Sequence, residues 1–322
     1  YERTDAPLQR TRRAGRIIQG IRLRSNTSHN TQARQRCKNL VKTGITKEAP
    51  PMIICFSGTG NTLSVARQLS GLLTGENIVM LEGDTLLRPE NFSLTPAPRN
   101  IIWAFPTYSW GMPPVVARFI RQIPSNPAFD SAVHWMLTTC GDDIGMTDRR
   151  WRRIIRSRGW KAADAFSVIM PNTYTLMKGF DVDDENTAAR KLNAMPEQVK
   201  AIAARISDAG AAPLPLLVRG AWPRIKSSVI RPLFERFAMS PTPFHVNGGC
   251  TGCGLCARSC PMNNISMLST DNDATARPHW GKNCALCLRC YHICPRRAVA
   301  YGRHATDGKG QWINPVLMKE TT

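Results

Sequence analysis

Acidic residues are scarce in this chain: 23 Asp and Glu face 43 Lys and Arg over 322 residues, a formal charge of +20. Long apolar runs are missing too. No stretch approaches the ~18 consecutive apolar residues of a membrane-crossing helix, so no spanning segment is expected. Nothing at the N-terminus has the layout of a secretory signal, which argues against an oxidising compartment and against disulfides. The chain holds neither G-x4-G-K-[ST] nor G-x-G-x-x-G, so a P-loop and a dinucleotide fingerprint are both excluded. No hydrolytic triad signature and no nucleic-acid-binding motif can be found.

The positive charge is unevenly spread. Residues 1–51 hold twelve Lys and Arg against three Asp and Glu and show little apolar periodicity. They read as a basic N-terminal extension, either disordered or upstream sequence joined to the gene. An RNA-binding arm or an Arg-rich transit peptide is the other reading.

What the chain has in quantity is cysteine: eleven residues, eight of them in two copies of one spacing. Cys250, Cys253, Cys256 and Cys260 precede Pro261; Cys284, Cys287, Cys290 and Cys294 precede Pro295. This is C-x2-C-x2-C-x3-C-P written twice, the run that holds a pair of 4Fe–4S clusters. One short loop supplies three thiolates, and the fourth cysteine reaches the other cluster. The first cluster is expected on Cys250, Cys253, Cys256 and Cys294, the second on Cys284, Cys287, Cys290 and Cys260. A structural zinc site uses paired C-x2-C hooks and has no need of third and fourth cysteines at these offsets. Single-electron chemistry in a reducing cytoplasm follows as the expectation. Cys37 and Cys55 have no partner spacing and receive no role.

A second signature lies near the other end. The apolar run 52–56 is followed at once by Ser57-Gly58-Thr59-Gly60-Asn61-Thr62, and then Val65, Leu69, Leu72 and Leu73 fall at helical spacing. Strand, hydroxyl- and glycine-rich loop, then helix can cradle a phosphate with amides, hydroxyls and a helix N-terminus. Polar turns rich in Gly, Thr and Asn also form for local reasons. A second apolar run, 100–105, leads into Pro106-Thr107-Tyr108-Ser109-Trp110-Gly111, where Tyr108 and Trp110 could stack on a flat ring or merely pack the following helix. A third, 133–139, leads into Thr139-Cys140-Gly141; Cys140 is a ring contact or a small buried residue.

These loops resemble the FMN-phosphate loop and the flavin-wall loops of flavodoxins. With the cysteine runs, they make residues 52 to about 304 similar to the flavodoxin–ferredoxin fusion family of bacteria and archaea. Val168–Tyr174, at the end of the last strand, also looks like this family. The resemblance implies an α/β flavodoxin-like domain, with a doubly wound five-stranded parallel sheet, plus a small α+β two-cluster ferredoxin domain. Strand-like runs at about 52–56, 77–81, 100–105, 133–139 and 165–170, alternating with helical patterns, agree with it. The expected division is 1–51 extension, 52–210 flavodoxin-like domain, 211–245 basic amphipathic linker, 246–304 ferredoxin domain and 305–322 tail. Pro196 is expected to kink or split the helix 185–207. The linker's apolar residues Ile225, Val229, Ile230, Leu233, Phe234 and Phe237 either dock the two domains or lie on a membrane surface.

The implied cofactors are two 4Fe–4S clusters and FMN, and the implied role is electron transfer in the cytoplasm of an anaerobe. Two other roles stay open: an FMN-dependent reductase of a small molecule fed by its own ferredoxin domain, and a cluster protein whose flavin-free domain serves interaction. Whether the chain is an enzyme is left open with them. Two-cluster ferredoxins are usually acidic, yet residues 250–304 hold seven basic residues, including Arg258, Arg289 and Arg296, against two Asp. Six arginines also crowd 149–158. Both patches would suit an acidic low-potential partner such as a free ferredoxin or flavodoxin, or are solvated surface.

Overall fold

The computed structural model describes residues 50–321 apart from 74, 76, 208–215, 238–239 and 271–272. The expectation for the N-terminal extension lies, but for Pro50 and Pro51, outside the described residues, as does the start of the linker.

The apolar runs become strands buried on both faces, as a parallel sheet covered by helices on each side requires. β1 (Met52–Cys55), α1 (Asn61–Leu72), β2 (Ile78–Met80), α2 (Gly83–Leu87), β3 (Asn100–Pro106), α3 (Pro114–Gln122), the short α4 (Pro127–Asp130), β4 (Val133–Cys140), α5 (Thr147–Ser157), β5 (Lys161–Ile169) and α6 (Glu185–Ser207) follow in order. The sheet runs β2-β1-β3-β4-β5, and every pairing in it is parallel. That is the doubly wound order 2-1-3-4-5 of the flavodoxin-like fold, with its switch point between β1 and β3.

Alternation along each strand sorts side chains into two cores. Ile54, Phe56, Trp103, Phe105 and Met136 pack under α3 and α5, while Ile53, Cys55, Ile102, Ala104 and Leu137 pack under α1 and α6. The fifth strand starts at Lys161, ahead of the apolar run at 165. As the sheet's edge it can carry polar residues: Asp164 accepts from Arg205 Nε at 2.9 Å. Pro196 does not split α6, which is one helix over 23 residues with Ala188, Met195, Val199, Ile202 and Ile206 buried.

Past the sheet, Pro223–Ile225, the π-helical turn Lys226–Ile230 and Arg231–Phe237 run on as one helical arm, α7. The cysteine-rich part follows: β6 (Phe244–Val246), α8 (Leu255–Arg258), β7 (Ile265–Thr270), β8 (Asp273–Trp280), α9 (Arg289–His292) and β9 (Val299–Tyr301). β6 pairs antiparallel with β9, and β7 with β8, around a core of Phe244, Ile265, Leu288, Tyr291 and Tyr301.

The segment read as a C-terminal tail, residues 305–322, packs in part against the sheet domain. Asn314 N donates to Thr59 O at 2.9 Å, and Leu317 of α10 (Pro315–Thr321) is buried. Ala49–Thr322 is one compact unit, with sheet domain and cysteine-rich part in contact. Among the described residues, no helix is long and apolar enough to cross a membrane.

Candidate cofactor cleft and metal centres

The loop after β1 must turn the chain into α1 within a few residues. Gly60 makes that turn at φ 93°, in the left-handed region that glycine enters without strain. Ser57, Thr59 and Thr62 are buried, unlike the polar residues of an ordinary surface turn. Three carbonyls of the loop are engaged from outside it, Ser57 O and Gly58 O by Arg289 and Thr59 O by Asn314 N, while Gly60 O accepts the first helical bond of α1 from Ser64 N. The amide side of the turn and the start of α1 are left for an anion.

At the carboxyl ends of the strands opens a cavity of about 680 Å³. Ser57, Gly58, Thr59, Asn61 and Thr62, then Pro106, Thr107, Tyr108 and Trp110, then Thr139, Cys140 and Gly141 line it, so three separate loops converge. Two anticipated residues stand behind the wall instead. Gly60 backs onto Asn314 and Leu317, and a Cβ on Gly111 would lie 1.2 Å from Arg231 Nη1. Met170–Tyr174, Phe180, Ile230 and Phe234 also line it, as do Leu286, Cys287 and Leu288 of the cysteine-rich part.

The aromatic loop is held in an uncommon shape. Ser109 and Trp110 have φ of 44° and 55°, and Tyr108 N donates to Gly111 O at 2.9 Å to close the turn. Arg231 of α7, almost fully buried, donates to Tyr108 O (3.1 Å) and Met112 O (2.6 Å) from behind. Lys226 Nζ lies 5.4 Å from the Trp110 ring centre and pairs with Asp143 at 2.6 Å. Of the linker's apolar residues, Ile230 and Phe234 line the cavity, while Ile225, Val229, Leu233 and Phe237, and Ile230 in part, stay exposed. Burial, with Asp143 and Asp142 adding to it, pushes the Cys140 thiol up to about 12, so it is a packed thiol rather than a reactive thiolate.

None of the ten described cysteines is in a disulfide. The fold brings the eight motif cysteines into two crosswise sets. Cys256 feels Cys294, Cys253 and Cys250, and these four line one small, mostly apolar pocket. Cys284, Cys287 and Cys290 each feel Cys260. Burial pushes the thiol of Cys256 to about 11, Cys284 to about 12 and Cys287 to about 11. Four thiols gathered in apolar surroundings are a poor home for bare thiolates. They suit a thiolate-bound metal cluster, which deprotonates its ligands and takes up their charge. Backbone amides already point at the sulfurs: Asn264 N at Cys260 Sγ (3.4 Å), Leu286 N at Cys284 Sγ and Ala298 N at Cys294 Sγ (both 3.3 Å).

Arg289 was read from the sequence as one of several surface cations, and here the structure differs. It is 2% exposed, inside the C-x2-C loop between Cys287 and Cys290. It donates to Gly58 O (2.7 Å), Ser57 O (2.6 Å), Ser259 O (2.9 Å) and both oxygens of Glu82. His292, also buried, meets Thr173 O at 2.7 Å. No charge pattern marks either residue as buried; the only sequence signal is position within a cysteine run whose neighbours must face inward.

Residues 249–299 match the 4Fe–4S dicluster domain. No curated protein matches the chain. Solved structures similar to it include the Trp repressor binding protein from Bacillus subtilis (16% identity, TM-score 0.33, 50% of this chain and 99% of that one). An FMN-dependent NADH-azoreductase from Bacillus anthracis in complex with FMN is another (10%, TM-score 0.32, 49% and 100%). A flavodoxin from the domain Archaea is a third (12%, TM-score 0.27, 47% and 99%). At such scores the strand order of the sheet itself carries the fold. By its own strand order the sheet domain has the flavodoxin-like fold, and the segment that matches the 4Fe–4S dicluster domain lies C-terminal to it.

Proposed function

We propose that the chain is an electron-transfer protein in which two 4Fe–4S clusters, held by the two crosswise cysteine sets, exchange single electrons with an FMN in the cleft. One observation carries this reading: Cys287 of the second set lines the same cavity as the hydroxyl loop and the aromatic loop. When bound, the flavin supplies a change between one- and two-electron chemistry. Ser57, Gly58, Thr59, Asn61 and Thr62 would hold the phosphate; Tyr108, Trp110 and the 139–141 turn would hold the ring. Thr62 Oγ1 and Thr139 Oγ1, 2.7 Å apart, tie the first and third loops so that the ring's edge and its phosphate are positioned together. Leu286 and Leu288 flank Cys287 in the lining and limit water there.

The first set reaches the surface, with Cys253 exposed, which supports an outside partner docking there. An acidic low-potential protein of the cytoplasm fits the chain's charge. Arg149, Arg153 and Arg156 are exposed and free to steer it, whereas Arg158 is tied to Ile123 O at 2.6 Å. A reductase of a small molecule is the second reading, favoured by the cavity's extension along Met177, Phe180 and Asp181, beyond the three loops.

Anaerobic purification with assay of iron, sulfide and FMN, followed by dithionite titration, tests the proposal. About eight irons and one FMN per chain, with flavin reduced by the reduced clusters, are expected. Eight irons with no flavin taken up, even when FMN is added, would remove the flavin and leave a cluster protein with an interaction domain.

A further inference from the structure

Two buried donors lack partners, and both stand beside the second cysteine set. The Tyr108 hydroxyl is buried without any hydrogen-bond partner. A Cβ placed on Gly58 would lie 2.6 Å from that oxygen, 2.9 Å from Cys287 O and 3.1 Å from Cys287 Cβ, so hydroxyl and ligand loop close on the same point. The indole Nε1 of Trp280 is likewise buried with no aligned partner. Its ring stacks on Phe244 at 5.5 Å in the cysteine-rich core, and its N–H favours the thiolate of Cys290. None of the other unpartnered buried groups among the described residues lines the pocket of the first set. Arg289, the nearby cation, has its donors spent on carbonyls and Glu82.

We propose that Tyr108 Oη and Trp280 Nε1 donate hydrogen bonds to sulfur of the cluster held by Cys260, Cys284, Cys287 and Cys290, and so raise its reduction potential. A cluster gains negative charge on reduction, and a donor aimed at its sulfur stabilises that form more. Buried donors without an acceptor are rare in folded proteins; a sulfur-rich cluster supplies the acceptor that Tyr108 Oη lacks and extends the contact that Trp280 Nε1 makes towards the Cys290 sulfur. Trp280 comes from β8 of the cluster domain itself. Tyr108 comes from the loop after β3, so part of this cluster's potential is set from across the domain boundary. Because Tyr108 also lines the cavity, one side chain serves the ring on its face and the cluster at its tip.

The inference rests on the ligand sets proposed above, and its readout is the cluster midpoint rather than flavin turnover. Tyr108→Phe and Trp280→Phe are made in the full chain, purified anaerobically and titrated potentiometrically by paramagnetic resonance. The cluster whose signal a Cys260→Ser change removes should shift to more negative potential. Each donor should account for about tenfold in the reduction equilibrium, about 59 mV for one electron, with the other cluster unmoved. Tyr108→Phe removes one oxygen and leaves the packing intact, so it is the deciding variant. Unchanged midpoints in it with all iron retained, or a shift confined to the other cluster, would overturn the proposal. A wild-type protein whose reduced clusters never reduce FMN would instead sink the relay and leave these midpoint shifts standing.

Discussion

Arg289 and Glu82 meet as a two-bond ion pair, Nη1 to Oε2 at 3.1 Å and Nη2 to Oε1 at 2.9 Å. The pair joins the ligand loop of the second cysteine set to the residue that precedes α2 of the sheet domain. The same guanidinium holds the carbonyls of Ser57 and Gly58, so one side chain fixes the cluster loop, the hydroxyl loop and the sheet edge together. Burial opposes its charge, yet the hydrogen bonds and attraction of Glu82 keep its pKa above the ordinary value. A planar fork with donors in several directions does this; a point charge cannot.

Arg289→Lys should therefore keep both clusters but loosen the hydroxyl loop. We expect FMN affinity to fall at least tenfold and flavin reduction by the clusters to slow, with iron content unchanged. Flavin fluorescence titration and stopped-flow absorbance check both. Unchanged affinity would show that the loop is shaped without the arginine.

The cysteine sets were legible because cluster chemistry fixes ligand spacing, and the strands were legible because a sheet covered on both faces demands continuous apolar runs. Arg289, Arg231 and the segment around Asn314 were not. Counted along the chain, Arg289 is one of seven basic residues in the ferredoxin part and Arg231 one of a basic linker, and charge says nothing about depth. Each is buried by partners more than a hundred residues away. Asn314 meets Thr59 through backbone atoms, which leave no mark in the sequence. The early start of β5 was hidden for a related reason: an edge strand tolerates Lys161 and Asp164, so its apolar pattern begins late.

The crosswise sets make a counting prediction. Cys260→Ser together with Cys284→Ser should cost one cluster, about four irons, because the proposed crosswise ligation puts both on the same cubane. Cys260→Ser together with Cys253→Ser should cost both clusters. Iron and sulfide assays on the two double variants separate crosswise from run-by-run ligation, which gives the opposite pattern.

Gly111→Ala tests the arm. The new Cβ would lie 1.2 Å from Arg231 Nη1, so the guanidinium must leave Tyr108 O and Met112 O. Overpacking of this kind costs about 1–3 kcal/mol. The aromatic loop also loses its brace, so FMN binding should weaken along with stability. Adding Arg231→Met, a shorter apolar side chain, should recover stability without recovering FMN affinity. Recovery of both would mean that Arg231 is only a filler.

His134 makes a prediction about pH. Its ring accepts from Trp103 Nε1 at Nδ1 (3.0 Å) and donates from Nε2 to Phe129 O (2.9 Å), so both nitrogens are committed to the neutral tautomer. It also lies flat against Trp160, centroids 4.7 Å apart. Burial drives its pKa down to about 4, against a weaker upward pull from the Phe129 carbonyl. The folded state thus holds fewer protons than the unfolded state between the unfolded pKa near 6.5 and the folded value near 4. The stability tied to the neutral ring is complete above about pH 6.5 and is lost as pH falls towards 4, by about 3 kcal/mol in all. Between about pH 7 and about pH 5, His134→Gln should lose about 2 kcal/mol less stability than the wild type. Tryptophan-fluorescence urea unfolding of both proteins at each pH measures the difference, and acid effects on the clusters, common to both, cancel. Parallel pH dependence in the two would mean that the ring takes up its proton without leaving the core.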